Sequence, residues 1–463
     1  MTMHNDKKMR DERLWPGLSN PRRDFIKMCG AAAAGSVAGL LLPEAAGAEA
    51  EDSPDSLKNL LLQDPGDELF WSRVRRQFVL KPGLIYMNTG TEGSMPRFVL
   101  SRMQRYFREF AENPWNAITG GGVLGADMTE TRTRMADFVG ADPGEILLTH
   151  STTEGLFFAA NGLDLPEGGE VLSTLHEYPS GLACWRILRE PRNVTVTQIE
   201  LPSPAENKEE IVDAFAHAIT PRTRVMSFCH VNFTTGLRMP VKELCQLARD
   251  NGIISVVDGA HAIGMLDLNL HDLGCDFYAT SPHKWLNAPP GTGVLYIRDG
   301  LLENFWPTIT ESSPPYAPDI SVLQGRGQQC TPAFACLNDL IDFDKNTIGK
   351  EVIEGRILTL SSYLKERIKE EWGEESLLSP TDTTLSSGLT SFNPFADHHD
   401  FEKIKVYRKL RDEYNIIIRT VGFKDRLADP KSTAAMRVST HIFNNYKEID
   451  KLISTLKTLM ADM

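Results

Sequence analysis

Between residues 146 and 297 one pattern recurs: a short apolar run, then a longer amphipathic stretch. The runs fall at 146–149, 170–174, 225–231, 253–257, 277–281 and 293–297, and several are rich in Val and Ile. They read as strands buried on both faces, which is what a mainly parallel sheet covered by helices requires. Amphipathic intervals such as 241–250 supply the crossover helices, giving the β-α-β order of a doubly wound α/β domain.

Past residue 343 the character changes. A long charged stretch at 348–372 predicts a helix, and a Ser- and Thr-rich loop follows over 376–387. Short strands are expected near 388–392, 416–420 and 436–439, with a closing helix over 446–460. That describes a small α+β domain. A chain of 463 residues exceeds one typical domain. The expected organisation is an N-terminal segment at 51–95 with helical stretches over 57–62 and 68–78, a large domain over 96–345 and a small C-terminal domain over 346–463.

Residues 1–50 are read as a targeting segment and set aside. Arg22-Arg23 precedes an apolar run at 28–42 that is too short and too rich in Ala and Gly to span a bilayer. Small residues around Ala46-Gly47-Ala48 and Ala48-Glu49-Ala50 offer cleavage sites. The order resembles a bacterial twin-arginine signal, which implies the twin-arginine export machinery as a partner and a periplasmic destination after folding in the cytoplasm. The formal net charge of −13 argues against a nucleic-acid partner, because phosphate backbones need a basic face. None of the seven cysteines forms a C-x-x-C pair, so neither a zinc site nor a redox motif is indicated.

The chemistry concentrates at the ends of the expected strands. Asp258 closes the run 253–257, His261 follows three residues later, and Ser281-Pro282-His283-Lys284 leaves the next run. In open α/β sheets ligands bind at the carboxyl ends of strands. His150-Ser151-Thr152-Thr153 leaves the run 146–149 and opens a helix, where hydroxyls and free amides make an anion site. His176 and Tyr178 stand at the end of another strand, and either ring could stack on a flat ligand. A lysine to hold an aldehyde as an internal aldimine, a carboxylate for a pyridine nitrogen, a stacking aromatic and donors for a phosphate are what pyridoxal phosphate asks of a protein. Lys284, Asp258, the aromatic pair and Thr152-Thr153 supply them in that order. Taken singly, each would be an ordinary surface lysine, strand-end turn or N-cap.

The segment 225–297, with VVDGAHAIG and ATSPHKWLN at its centre, resembles class V aminotransferases, a group that includes cysteine desulfurases and, more closely here, isopenicillin-N-epimerase-like proteins. The resemblance runs from about Tyr86 to the C-terminus. It implies the type I fold of pyridoxal-phosphate enzymes and a homodimer. It implies that Thr152, Thr153, Ser281 and His283 hold the phosphate, that His176 stacks on the ring, that Asp258 pairs with the ring nitrogen, that His261 lies near the ring hydroxyl and that Lys284 carries the cofactor. It also implies that Arg437 grips the carboxylate of a small amino-acid-type substrate, with Arg419 as a second arginine and Asn88-Thr89-Gly90 lining the pocket.

Two departures matter. Residues 421–429 lack the nucleophilic cysteine that desulfurases carry after the position of Arg419, which argues against persulfide chemistry. Gly327-Gln328-Gln329-Cys330 stands where relatives often have Gly-Thr-x-Asp, so its contact with the phosphate and the role of Cys330 stay open. Transamination, epimerisation and elimination share the same cofactor machinery, with transamination expected and epimerisation the alternative. Gly120-x-Gly122-x-x-Gly125 matches a dinucleotide fingerprint only literally, because no strand precedes it, and reads better as a loop near the substrate entrance. Asp397-His398-His399-Asp400 invites a metal but reads better as a polar turn before a helix over 401–414, so no metal is expected.

Overall fold

The computed structural model describes residues 64–115, 128–310, 319–424 and 426–463. The targeting segment, Cys29, the helical stretch expected at 57–62 and the glycines at 120–125 lie outside them. Seven strands share one sheet: β1 Ile146–Thr149, β2 Glu170–Thr174, β3 Thr195–Ile199, β4 Thr223–Cys229, β5 Ile254–Asp258, β6 Phe277–Thr280 and β7 Gly293–Ile297. Their spatial order is β1-β7-β6-β5-β4-β2-β3. From β6 to β3 all neighbours are parallel, and β7 runs antiparallel to both β6 and β1. The sheet is mixed but mostly parallel, as the patterning required.

Side chains alternate between its two faces, and each face has its own core. On β6, Tyr278 joins the apolar cluster on one side, while Phe277 and Ala279 join the cluster on the other. Strand β3 was not expected from the sequence. It is a half-exposed edge whose residues alternate Thr-Val-Thr-Gln-Ile, so it never forms an apolar run.

A second sheet is antiparallel in the order β9-β10-β8, built from β8 Leu389–Phe392, β9 Arg419–Phe423 and β10 Thr433–Ser439. Helices Lys350–Trp372 and Tyr446–Ala461 pack on it around Leu360, Leu364, Ile453 and Leu456. The single strand expected at 416–420 is instead divided. Ile416–Ile417 pairs in parallel with Ile85–Tyr86, and the chain passes to the second sheet at Arg419. Two other elements are shorter than their apolar patterns: the first described helix is Glu68–Arg75, capped by Asp67, and the helix expected over 401–414 begins at Tyr407 after a 3-10 turn. The boundary expected near 345 falls inside a π-helix, Asp342–Ile348. Gly349, at φ 102°, then redirects the chain into helix Lys350–Trp372, a left-handed conformation suited to glycine.

Candidate active site

The parallel register aligns Cys229 with Asp258 and Asp258 with Ala279, so the ends of β4, β5 and β6 open at one level. Beyond β6 the chain turns at once, with Lys284 N donating to Ser281 O at 3.1 Å. Trp285 is fully buried behind this turn and anchors it. A strap from the N-terminal segment closes over it: Gly93 N donates to His283 O at 2.9 Å. A Cβ at Gly93 would stand 2.1 Å from Lys284 O, so the approach depends on glycine. Lys284 thereby points into a cavity of about 220 Å³ lined also by Asp258, His261, Tyr178, Thr152, Ser281 and His283.

Burial pulls Lys284 down to about 8, with Arg437 and Arg419 acting in the same direction and Asp258 against them. Asp258 is buried, accepts from Ala260 N at 2.9 Å, and forms no ion pair among the described residues. Desolvation raises its pKa despite that hydrogen bond and the nearby Lys284 charge. His261 accepts at Nδ1 from Trp285 Nε1 at 3.1 Å, and burial followed by Lys284 lowers it well below its usual range.

Hydroxyl groups line the same cavity. Ser151 caps the helix Thr152–Gly162, accepting from Glu154 N at 3.2 Å. Thr152 N and Oγ1 both meet Ser281 Oγ, at 3.0 and 2.7 Å, and Thr153 Oγ1 donates to Ser180 Oγ at 3.1 Å. Gly293 permits this closeness, because a Cβ there would stand 2.4 Å from Ser151 N. His283 donates from Nδ1 to Thr292 O at 2.8 Å. Arg326, side chain 3% exposed, pairs with Glu154 in the first turn of that helix and ties the Gly327 loop to it.

The second sheet supplies cations. Arg419 and Arg437 are register partners on β9 and β10. With Gly90, Thr91, Tyr178, Phe233 and Lys284 they line an adjoining cavity of about 70 Å³. Arg437 is 2% exposed and donates to Phe233 O at 2.9 Å, while its Nε finds no partner among the described residues. Burial lowers it to about 9, with Arg419 adding to the shift. Arg419 is exposed and donates to Thr91 Oγ1 at 3.1 Å.

The comparisons agree on one family. A family model described as aminotransferase class-V matches residues 85–452. The chain belongs to the class V aminotransferases. The isopenicillin N epimerase of Streptomyces clavuligerus is 30% identical over 409 residues, covering 85% of this chain and 99% of that protein. A probable cysteine desulfurase of Halalkalibacterium halodurans is 27% identical, covering 81% of this chain and 92% of that one. Among solved structures, an apo cysteine desulfurase from Thermococcus onnurineus superposes with a TM-score of 0.73 at 24% identity, covering 84% of this chain and 98% of its own. That last likeness speaks for the fold.

Pyridoxal phosphate is the cofactor of this class V enzyme, and the cavity fits it. A buried carboxyl without a cation faces the cavity, an amine stands beside it, and hydroxyls with a helix N-terminus form an anion cup. Of the residues singled out in the sequence, Thr152, Thr153, Asp258, His261, Ser281, His283 and Lys284 meet in the larger cavity, and Arg419 and Arg437 in the adjoining one. His176 is a correction. It is 1% exposed, packed on Phe423 with Nδ1 2.8 Å from Thr234 Oγ1, and the aromatic on the cavity wall is Tyr178, whose ring centroid lies 5.9 Å from Lys284 Nζ. Asn88 acts one step back, accepting from Thr91 Oγ1 at 2.8 Å, and Thr91 itself reaches both cavities. Sequence reasoning missed Thr91 and Phe233, although the hydroxyl after Asn88-Thr89-Gly90 was a signal for the first. Asp397-His398-His399-Asp400 forms turn hydrogen bonds, with Asp397 accepting from His399 N and Asp400 from Glu402 N.

Proposed function

We propose that the enzyme transfers the amino group of an α-amino acid or amino-acid-derived substrate through chemistry at Cα. The observation that carries this reading is the position of Lys284, which lines both cavities, with Asp258 in the larger one and Arg437 in the adjoining one. A carboxylate on Arg437, with Arg419 beside it, would set the substrate's Cα near Lys284. Thr152, Thr153, Ser281 and His283 would hold the phosphate, Asp258 the ring nitrogen and Tyr178 the space over the ring. Bound there, pyridoxal phosphate supplies an electron sink that makes the Cα–H bond acidic. Lys284, with its weakened basicity, would take the proton from the substrate's Cα and deliver it to the cofactor's aldehyde carbon, and the closed strap over Lys284 would limit access of water.

Epimerisation is the second reading, supported by the 30% identity to an isopenicillin N epimerase across almost all of that protein. The absence of cysteine from residues 421–429 weighs against desulfuration. The deciding experiment offers a panel of amino acids in deuterated water with and without a 2-oxo acid. Amino transfer that requires the 2-oxo acid is expected. Deuterium at Cα with inversion and no amino transfer would overturn transamination in favour of epimerisation. The order of the first fifty residues supports twin-arginine export to the periplasm, tested by fractionation with Arg22 and Arg23 changed to Lys. A homodimer is supported by the family alone and is tested by the mass of the purified enzyme in solution.

A further inference from the structure

Glu177 stands between His176 and Tyr178 and has no part in the site as built above. Its carboxyl is buried, and Thr174 Oγ1 donates to its Oε1 at 2.7 Å. The thiol of Cys229, register partner of Asp258, lies 3.7 Å from the same oxygen. A Cβ at Gly181 would stand 3.8 Å from Glu177 Oε2 and 3.7 Å from Asp258 Oδ2, so a single point in the first turn of helix Pro179–Arg186 touches both carboxyls. Among the described residues neither carboxyl forms an ion pair. A glutamine at 177 would satisfy Thr174 equally well, so hydrogen bonding does not account for an acid there. Burying a second carboxyl beside the first is costly for folding, which points to a use.

We propose that Glu177 is a positioning residue of the cofactor's nitrogen subsite, acting through Asp258 as the second acid of a carboxyl pair. The proposal rests on Asp258 facing the ring nitrogen. Burial, with the Asp258 charge added, pushes Glu177 up to about 8. The other titratable groups facing it are the thiols of Cys229 and Cys184, both driven upward by burial and protonated throughout. Lys284 faces Asp258 from the cavity side. Below about pH 8 Glu177 keeps its proton and adds no charge beside Asp258. Above it the Glu177 proton passes to solvent, and the second charge strengthens retention of a proton on the ring nitrogen.

Binding without aldehyde chemistry tests this. The probes are pyridoxine 5′-phosphate and its analogue with carbon in place of the ring nitrogen, titrated into the apoprotein carrying K284A, which removes the amine that would also titrate. From pH 7 to pH 9 the preference for the nitrogen-bearing probe should shift in its favour at least about threefold more in K284A than in K284A/E177Q. A role confined to packing would move both probes equally, and equal shifts in the two variants overturn the proposal. K284A/E177D, which keeps the carboxyl, should retain the shift. K284A/D258N should lose preference for the nitrogen probe at both pH values; if it does not, the assignment of Asp258 fails first. Should the glutamine variant not fold, infrared spectra of K284A with bound pyridoxine 5′-phosphate decide: a protonated carboxyl band present at pH 7 and lost by pH 9 is expected, and its absence at pH 7 overturns the proposal.

Discussion

The wall of the cavity built on strand ends and the wall built on the second sheet oppose each other in charge and in how the chain assembles them. On the first wall Asp258 is a buried acid with Glu177 buried behind it, and Thr152 and Ser281 are neutral hydroxyls that bond to each other. On the second, Arg419 and Arg437 line the adjoining cavity side by side, and Arg437 is stripped of water. Lys284 lies where the two walls meet, drawn up by Asp258 and down by the arginines. The contrast teaches a division of labour: the acidic wall suits a protonated ring nitrogen, the cationic wall suits a carboxylate, and the reacting amine sits in the balance. It also separates Lys284 from Lys365. Both are buried and pulled down to about 8, but Lys365 donates to Pro380 O and Ser386 Oγ and so braces the loop that carries them.

The largest expected effect tests that balance by pH. Because burial depresses Lys284, its neutral fraction grows tenfold per pH unit up to about 8 and then saturates. The rate at which the apoprotein captures pyridoxal phosphate should therefore rise about 50-fold from pH 6 to pH 8 and at most about twofold more above it. A rate that keeps climbing toward pH 10 would mean that Lys284 is not desolvated. Next, Arg437→Gln should lower kcat/KM for carboxylate substrates by about 2 kcal/mol, roughly 30-fold, while leaving pyridoxal phosphate binding unchanged. Weakened cofactor binding in that variant would erase the distinction between the walls. Gly93→Ala, which forces the strap off Lys284 O, should cost roughly tenfold in kcat, as displacements of a positioned group do, with a lower Tm. The smallest change belongs to Arg419→Gln. Being exposed and screened, Arg419 should contribute under about 1 kcal/mol to substrate binding.

Much of the first wall was legible in the sequence because its residues lie at the ends of apolar runs, where position along the chain fixes position in space. Asp258, Ser281, His283 and Lys284 could be read this way, and so could Thr152 as an N-cap neighbour. The second wall was less legible. Arg437 and Arg419 reach Thr91 across 346 and 328 residues of sequence, a closure that no local pattern encodes. Resemblance to the family supplied the arginines, but not Thr91 or Phe233. The exchange of His176 for Tyr178 has the same origin: both lie beyond the end of β2, in a turn and at a helix N-cap where strand alternation no longer fixes direction, and which of them meets the cavity depends on Phe423 and Thr234 from elsewhere. Edge strand β3 escaped notice because half-exposed strands carry no apolar run.

Borohydride reduction of the purified yellow enzyme, followed by peptide mass spectrometry, tests the central assignment most directly. The reduced cofactor is expected on the peptide that contains Lys284, and Lys284→Ala should be colourless. Label on Lys365 or on any other lysine would contradict the account.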